Sequence, residues 1–324
     1  MFDNEPTQEP SAIGFLLLPR FSLMSLLSAI EPLRGANRTL GRTACAWEFF
    51  SLDGAPVESS SDIPIAPHRT IGEVRHCPTV FVLASYAPLA AVTRELTGWL
   101  RRRHRTGSTL VGVESGPEIL AQAGLLDGRR ATVHWETINA FRERYPAVEV
   151  RDTLYEIEGS IVTCSGGTAT FDLILHALAR RHSAQMAGSV SEQFLHSDIR
   201  APEARQRLPA DRRAGTWAPE LVRAVDIMET NVETPLSLPQ IAVRAGVGQR
   251  RLARLFVGSL GSPPHRYYTG LRLERARGLL RHGNLTVGEV ALATGFASPA
   301  HFARAYKARH GCRPSADWAA GVQE

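Results

Sequence analysis

The chain has 324 residues, 44% of them apolar and 21% charged, with four cysteines and a formal net charge of +5. That length exceeds one typical domain, and the apolar content suffices for ordinary buried cores, which excludes a disordered or low-complexity chain. No apolar run reaches the roughly 18 residues of a membrane-spanning helix, the opening MFDNEPTQEPSA is no secretory leader, and Cys45, Cys77, Cys164 and Cys312 are too scattered for a zinc site or a disulfide framework.

These exclusions predict a soluble cytoplasmic protein with no metal, no cofactor and no membrane partner. The charge is uneven. From Trp217 onward there are 14 Lys and Arg against 8 Asp and Glu, whereas residues 1–216 carry 23 against 24. A basic surplus confined to one segment suits a phosphate-bearing partner. Lys307 is the only lysine beside 36 arginines, a bias that covers the whole chain.

In chain order, Ile13–Leu18 predicts a strand and Leu23–Leu33 a helix. Glu48–Leu52, Val80–Ala84 and Leu110–Val113 predict strands, with a helix over Leu89–Arg103 before the last. A helix begins around Ile119–Ala123, and Ala131–Trp135 returns to strand. Leu154–Ile157 and Ile161–Cys164 flank a hairpin turn at Glu158-Gly159, and Phe171–Arg181 is helical. Strands alternating with helices predict a doubly wound α/β sheet.

Within that pattern, LVGVESGPEIL at 110–120 runs an apolar strand into Gly112-Val113-Glu114-Ser115-Gly116 and then a helix. This is the form of a nucleophile elbow, in which flanking glycines permit a strained turn that presents the central side chain at the sheet's C-terminal edge, where open α/β sheets bind ligands. The central residue is Glu114, a poor substitute for a thiolate or alkoxide, and Ser115 lies one place off.

Residues 12–182 resemble the DJ-1/PfpI branch of the class I glutamine amidotransferase-like fold, on strand Ile13–Leu18, the elbow, AGLLDGRRATVHWE at 123–136 and TCSGGTATFDLILHALA at 163–179. The resemblance implies a flavodoxin-like sheet. It also implies that Glu114 stands at the usual cysteine position and His134 at the histidine position, with Glu31 as the acidic partner. Losing the cysteine argues against hydrolase, protease or glyoxalase activity.

The stretch APEARQRLPADRRAG at 201–215 has two prolines, many charges and no periodic apolar face, which predicts an exposed linker over 199–216 between domains at 1–198 and 217–324. Beyond it the patterns are helical, and a phrase occurs twice. Ile241, Ala242, Gly246 and Val247 recur as Val290, Ala291, Gly295 and Phe296 at a spacing of 49. Leu252, Arg254 and Phe256 recur as Phe302, Arg304 and Tyr306 at a spacing of 50.

Each copy reads as helix, glycine turn, helix. Ser237 and Ser298 are caps, Pro299 suits a first helical position, and Arg266–Arg281 forms one helix between the copies. Gln249, Arg250, Ala253 and Arg254 are left outward in the first copy, and Ala300, His301, Arg304 and Lys307 in the second.

Segment 217–324 resembles the AraC/XylS-type DNA-binding domain, on LARLF at 252–256, LRLERARGLL at 271–280 and VALATGFASPAHFARAYKARHGCRPSAD at 290–317. The resemblance implies two recognition helices in successive major grooves of double-stranded DNA, about 34 Å apart, on direct-repeat promoter sites. Gln249, Arg250 and His301 are expected near bases, Ser298 beside them, and Arg254 and Arg304 on phosphate or bracing the fold. The first copy, with its polar row, is expected to supply more of the readout.

The fusion of the two domains, with SAIEPLRGANR at 28–38, resembles GlxA-like transcription factors, a group that includes activators of arginine, glycine betaine and carnitine catabolism. The expected function is therefore a non-enzymatic transcriptional activator, homodimeric and working with RNA polymerase. Its effector would be a small cationic or zwitterionic amine, held by Glu31, Glu114, Ser115, His134 and Trp135. Two carboxylates close together favour a cation between them, and Trp135 or Trp47 offers a π face. Against that, Glu31 can pair with Arg34 or Arg38 on its own helix, and the tryptophans can be core. The alternatives are an amidotransferase-like hydrolase with an appended DNA-binding module, and a constitutive DNA-binding protein whose first domain only dimerises.

Overall fold

The computed structural model describes residues 10–207, 217–282 and 285–323, and the chain divides into two units between Gln206 and Arg207. In the first unit the strands, in chain order, are β1 (Ser11–Leu17), β2 (Cys45–Ser51), β3 (Val57–Glu58), β4 (Pro64–Ile65), β5 (Arg69–Thr70), β6 (Thr79–Ala84), β7 (Thr109–Glu114), β8 (Arg130–Ala131), β9 (Glu149–Val150), β10 (Tyr155–Glu158) and β11 (Ile161–Cys164). Seven form one sheet in the order β10-β11-β7-β6-β1-β2-β5, parallel except for the β10–β11 hairpin.

The central strands are continuous apolar runs because both faces of the sheet are covered. Phe15, Leu17, Phe81 and Val111 point into one core with α1 (Leu23–Leu40), α5 (Ala169–Arg181) and α6 (Ala184–Gln193). Their neighbours Leu16, Val80, Val82 and Leu110 point into the other core, with α2 (Arg94–Arg105), α3 (Gly116–Gln122) and α4 (Ile138–Arg144). The doubly wound sheet expected from the alternating pattern is present, in a flavodoxin-like arrangement.

Four local expectations change. The first helix does not stop at Leu33: it runs through Pro32 to Leu40, because Leu33 and Ala36 are buried in the first core, and it ends at Gly41 with φ +63. The helix expected over Leu89–Arg103 is broken at Thr93, whose hydroxyl accepts the Leu96 N–H and caps α2, leaving a single 3₁₀ turn at Pro88–Ala91. The strand expected over Ala131–Trp135 is only Arg130–Ala131. Beyond it the Thr132 N–H turns to the Thr163 hydroxyl, and a tight turn forms at His134–Thr137. Glu158 stays in the ladder opposite Ile161, so the hairpin turns at Gly159-Ser160.

The expected linker is also partly bound. Arg200, Pro202 and Gln206 all bond to the first unit, while residues 208–216 lie outside the described residues.

The second unit is helical: α7 (Pro219–Thr230), α8 (Leu238–Ala245), α9 (Gln249–Leu260), α10 (Pro264–His282), α11 (Val287–Ala293), α12 (Pro299–His310) and α13 (Pro314–Gln323). It holds two small cores. Leu221, Ile241, Leu252 and Phe256 build the first, and Leu279, Val290, Phe302 and Tyr306 the second. Helix α10 serves both, giving Tyr268 to the first and Leu273, Ala276, Leu279 and Leu280 to the second. Among the described residues no helix is long and apolar enough to cross a membrane.

The second core is closed by Asp317 of α13. Its carboxylate accepts from Tyr306 Oη at 2.7 Å and Arg281 Nε at 2.8 Å, and also pairs with Arg277 at 3.2 Å. Burial alone would push this carboxyl up, but the hydrogen bonds from Tyr306, Arg281 and Cys312 outweigh it and hold it down at about 2. The unfolded carboxyl titrates at about 3.9, so the stabilisation is full above about pH 4 and is lost as the pH falls towards 2. Asp317→Asn is expected to destabilise the second unit by about 2–3 kcal/mol at neutral pH and to flatten that acid limb. Urea unfolding of both proteins between pH 2 and 7 measures both effects.

Candidate functional site

Strand β7 ends at Glu114, which has φ +63, a left-handed conformation that costs a side-chain-bearing residue about 1–3 kcal/mol. The surrounding backbone enforces it. A Cβ on Gly116 would lie 2.2 Å from the Val82 carbonyl oxygen, and one on Gly112 would lie 2.8 Å from the Pro117 nitrogen. Only with both side chains absent can the strand fold this tightly into α3. The turn is fastened by the Ser115 N–H on the Ala84 carbonyl (3.0 Å) and the His134 N–H on the Glu114 carbonyl (3.3 Å).

The Glu114 side chain stands half-buried at the C-terminal edge of the sheet. Ser25 Oγ, in the first turn of α1, donates to its Oε2 at 3.1 Å. Ser85 Oγ, just past β6, donates to its Oε1 at 3.0 Å. Among the described residues no Arg, Lys or His pairs with this carboxylate. On the far side, past β11, Gly166 has φ +89, and a Cβ there would lie 2.8 Å from Glu114 Cβ. The site is thus a carboxylate with two hydroxyl donors in a closely fitted backbone cradle.

The other residues expected around Glu114 are placed unequally. His134 is tied to the elbow through its backbone, is half-buried, and has its ring 5.6 Å from that of Trp135, which is 38% exposed. Ser115 is buried beneath the turn. Glu31 pairs with Arg34 at 2.7 Å on its own helix instead of facing Glu114 as a bonded partner. Trp47 packs against the first core.

Sequence reasoning missed Ser25 and Ser85. Ser85 had a signal, as the first polar residue after the apolar run of β6, and the doubled glycine 166–167 had another. Ser25 is an ordinary helix residue with none.

Chemistry that needs a thiolate finds none in this unit. Cys77 and Cys164 are buried, and burial pushes their thiols up to about 11 and about 12, while Cys45 is also buried and raised. Behind the elbow, Glu118 of α3 pairs with Arg144 of α4 at 3.0 Å and ties down the helix that follows the His134–Trp135 turn. Burial pushes that carboxyl up to about 7 against the pull of Arg144. An open cleft of about 620 Å³ lies away from Glu114, between the ends of α2 and α3, lined by Arg101, Arg102, His104 and Arg105. Arg101 Nε satisfies the Ala123 carbonyl there, and basic residues at the end of α2 complement its dipole.

In the helical unit the doubled phrase is a doubled structure. Helices α9 and α12 show the same exposure at every one of their twelve positions when offset by 50, with Leu252 and Phe256 in one and Phe302 and Tyr306 in the other turned inward. The shift from 49 to 50 is one extra residue in the second turn, Ala297, before the cap Ser298.

The repeat reaches back one helix further than the sequence suggested. Arg223 Nε of α7 donates to the Ala245 carbonyl at the end of α8 at 3.1 Å. Arg272 Nε of α10 donates to the Thr294 carbonyl after α11 at 2.7 Å, 49 positions on in both cases. Each copy is therefore a three-helix block whose leading arginine satisfies the orphan carbonyls where the glycine turn begins.

Gln249, Arg250 and Arg254 of α9 and Arg304 of α12 are exposed and, among the described residues, bond to no other side chain. Among the described residues, no side-chain bond of Arg254 or Arg304 braces the fold. The Ser298 hydroxyl accepts the His301 N–H at 3.4 Å as a cap, and the His301 ring lies 5.7 Å from Phe296.

Comparison with known proteins agrees with both halves. The DJ-1/PfpI family matches residues 13–180 and a helix-turn-helix domain matches residues 241–317. The chain is 45% identical over 303 residues to the HTH-type transcriptional regulator CdhR of Pseudomonas aeruginosa, covering 94% of this chain and 90% of that one. It is 40% identical over 308 residues to the HTH-type transcriptional regulator GlxA of Rhizobium meliloti, covering 95% of each. A solved AraC family transcriptional regulator from Pseudomonas putida, 22% identical, covers 57% of this chain and all of its own with a TM-score of 0.53, and shares the fold.

The elbow makes its own prediction. Gly116→Ala sets a methyl against a backbone carbonyl that no rotamer change can move, and is expected to destabilise the first unit by about 3 kcal/mol. Thermal unfolding checks this, with Gly188→Ala as a control, since a Cβ at Gly188 meets nothing within 4 Å.

Proposed function

Because the chain belongs to the helix-turn-helix transcriptional regulators of the GlxA and CdhR type, which join a DJ-1/PfpI domain to an AraC-type DNA-binding domain, we propose that it adjusts promoter binding to a small cationic or zwitterionic amine held at Glu114. The observation that carries this reading is the Glu114 carboxylate itself. It is half-buried, receives two neutral hydroxyl donors, and pairs with no cation among the described residues. A carboxylate taken partly out of water favours an opposite charge nearby. An ammonium or quaternary amine supplies one, and the exposed Trp135 beside His134 offers it a π face.

In this reading Ser85 and Ser25 fix the carboxylate's orientation, His134 holds the turn that carries Trp135, and Ser115 is a support beneath the ligand. Glu31 acts from the rim, where its charge is shared with Arg34. The unit senses and does not catalyse. A carboxylate replaces the elbow thiol, and the buried Cys45, Cys77 and Cys164 thiols are raised away from the thiolate.

On the DNA side, Gln249 and Arg250 read bases from the start of α9, with His301 and Ser298 at the start of α12. Arg254 and Arg304, without a side-chain partner among the described residues, hold phosphates. The protein acts in the cytoplasm as a homodimer on direct repeats and activates transcription through RNA polymerase, as the resemblance to this regulator group implies.

Two measurements test the reading. A thermal-shift screen of arginine, betaines, carnitine and polyamines is expected to find a stabilising compound, by about 2.7 kcal/mol at a hundredfold excess over its Kd, and Glu114→Gln is expected to abolish the shift. No response across the set, or amide or α-oxoaldehyde turnover that is lost in Glu114→Gln, would sink the sensor. Arg250→Ala is expected to weaken specific DNA binding by about 1–3 kcal/mol and to relax preference at one base pair, read by binding to a randomised operator library. Unchanged affinity and preference remove Arg250 from the readout.

A further inference from the structure

We propose that Ser25, Thr168 and Arg200 couple the Glu114 site to the hold of segment 200–206 on the α/β unit, so that the site governs the strap from which the helical unit departs. The inference rests on the effector reading of Glu114 and adds the route by which that site acts on the chain.

The route is a run of short polar contacts. Ser25 Oγ donates to Glu114 Oε2 at 3.1 Å and accepts the Gly167 N–H at 2.8 Å. Gly166 and Gly167, with φ +89 and +54, form a loop whose backbone lies directly against the Glu114 side chain. The next residue, Thr168, immediately precedes α5, and its Oγ1 accepts Arg200 Nη2 at 2.8 Å.

Arg200 also clasps Asp172, one turn into α5, through Nε at 2.8 Å and through its backbone N–H at 3.0 Å. His196 Nε2 lies 2.9 Å from the same carboxylate. Asp172 is fully buried, and this clasp supplies the donors that a buried carboxylate needs.

The far end of the strap returns to the same site. Gln206 Nε2 donates to Thr132 Oγ1 at 3.0 Å, the Val133 carbonyl at 2.9 Å and the Thr153 carbonyl at 3.0 Å. Val133 precedes His134, whose N–H bonds the Glu114 carbonyl. Between the ends a rung joins the Leu154 N–H to the Pro202 carbonyl at 2.9 Å.

Both anchors of the strap thus sit on loops that touch Glu114, and the next residue, Arg207, begins the second unit. Attachment of the strap and occupancy of the site are two equilibria that share these loops, and such linkage is reciprocal.

Ser25 and Ser85 separate this route from a general loosening of the elbow. Both bond the Glu114 carboxylate, but only Ser25 continues to the α5 loop. The test is hydrogen exchange of the full-length protein without any added compound, read on the segment 197–206 by mass spectrometry. Ser25→Ala and Thr168→Val are expected to speed exchange there about tenfold, with Ser85→Ala within about twofold of the unaltered chain.

Equal behaviour of Ser25→Ala and Ser85→Ala overturns the coupling. So does a rise in Ser25→Ala that extends equally to the buried strand β6, which marks general unfolding, unless Thr168→Val shows the local rise alone. Because no effector is used, a negative result leaves ligand binding at Glu114 standing, and a failed ligand screen leaves the measured coupling standing.

Discussion

The α/β unit turns on one close approach of backbone to backbone. Gly116 sits against the Val82 carbonyl with no room for a methyl, so α3 starts almost in contact with β6. That proximity leaves Glu114 little conformational choice. It lifts the side chain off the end of β7 in a left-handed turn and aims it between the C-terminal ends of β6 and β11. Everything local then follows from neighbouring strands ending at the same level. Ser85 comes from one side, Gly166 from the other, and Ser25 from the helix above. The strain at one residue is sustained by two cores that bury nearly every side chain of β6 and β7.

Much of this was legible in the chain. The elbow was readable because glycines two places either side of a residue, after an apolar strand and before a helix, leave few other conformations. The tandem copies were readable because inward positions repeat with the helical period, and the change in spacing from 49 to 50 located an insertion that the structure assigns to Ala297. What stayed hidden was long-range or compensated.

Ser25 meets Glu114 across 89 positions and carries no pattern of its own. Arg223 and Arg272 belong to no motif, yet each completes a helix end. Segment 200–206 has the composition of a linker, yet Arg200, the Pro202 carbonyl and Gln206 all bond to the α/β unit; composition reports solubility, not attachment. The residues 131–135 look like a strand because they are rich in apolar and β-branched side chains, but the Thr132 N–H is claimed by the Thr163 hydroxyl and the His134 N–H by the elbow.

Both units use the same device to join distant segments. In the first, Asp172 is buried and held by Arg200 and His196. In the second, Asp317 is buried and held by Arg277, Arg281 and Tyr306. A buried carboxylate with several donors tolerates no partial disassembly, since losing one partner leaves charge in a poor solvent. Such joints open together or not at all, which suits a strap and suits a helix that must present its outer face at a fixed angle.

The separate cores of the two helical copies have a consequence for how such a protein can be changed. Leu252 and Phe256 pack in one core, Phe302 and Tyr306 in another, and among the described residues only α10 belongs to both. Substitutions on the outer face of α9 therefore leave the packing of α12 undisturbed, and the reverse also holds. The outer face of either block can thus be altered by itself, one copy at a time, while the fold of the other is kept.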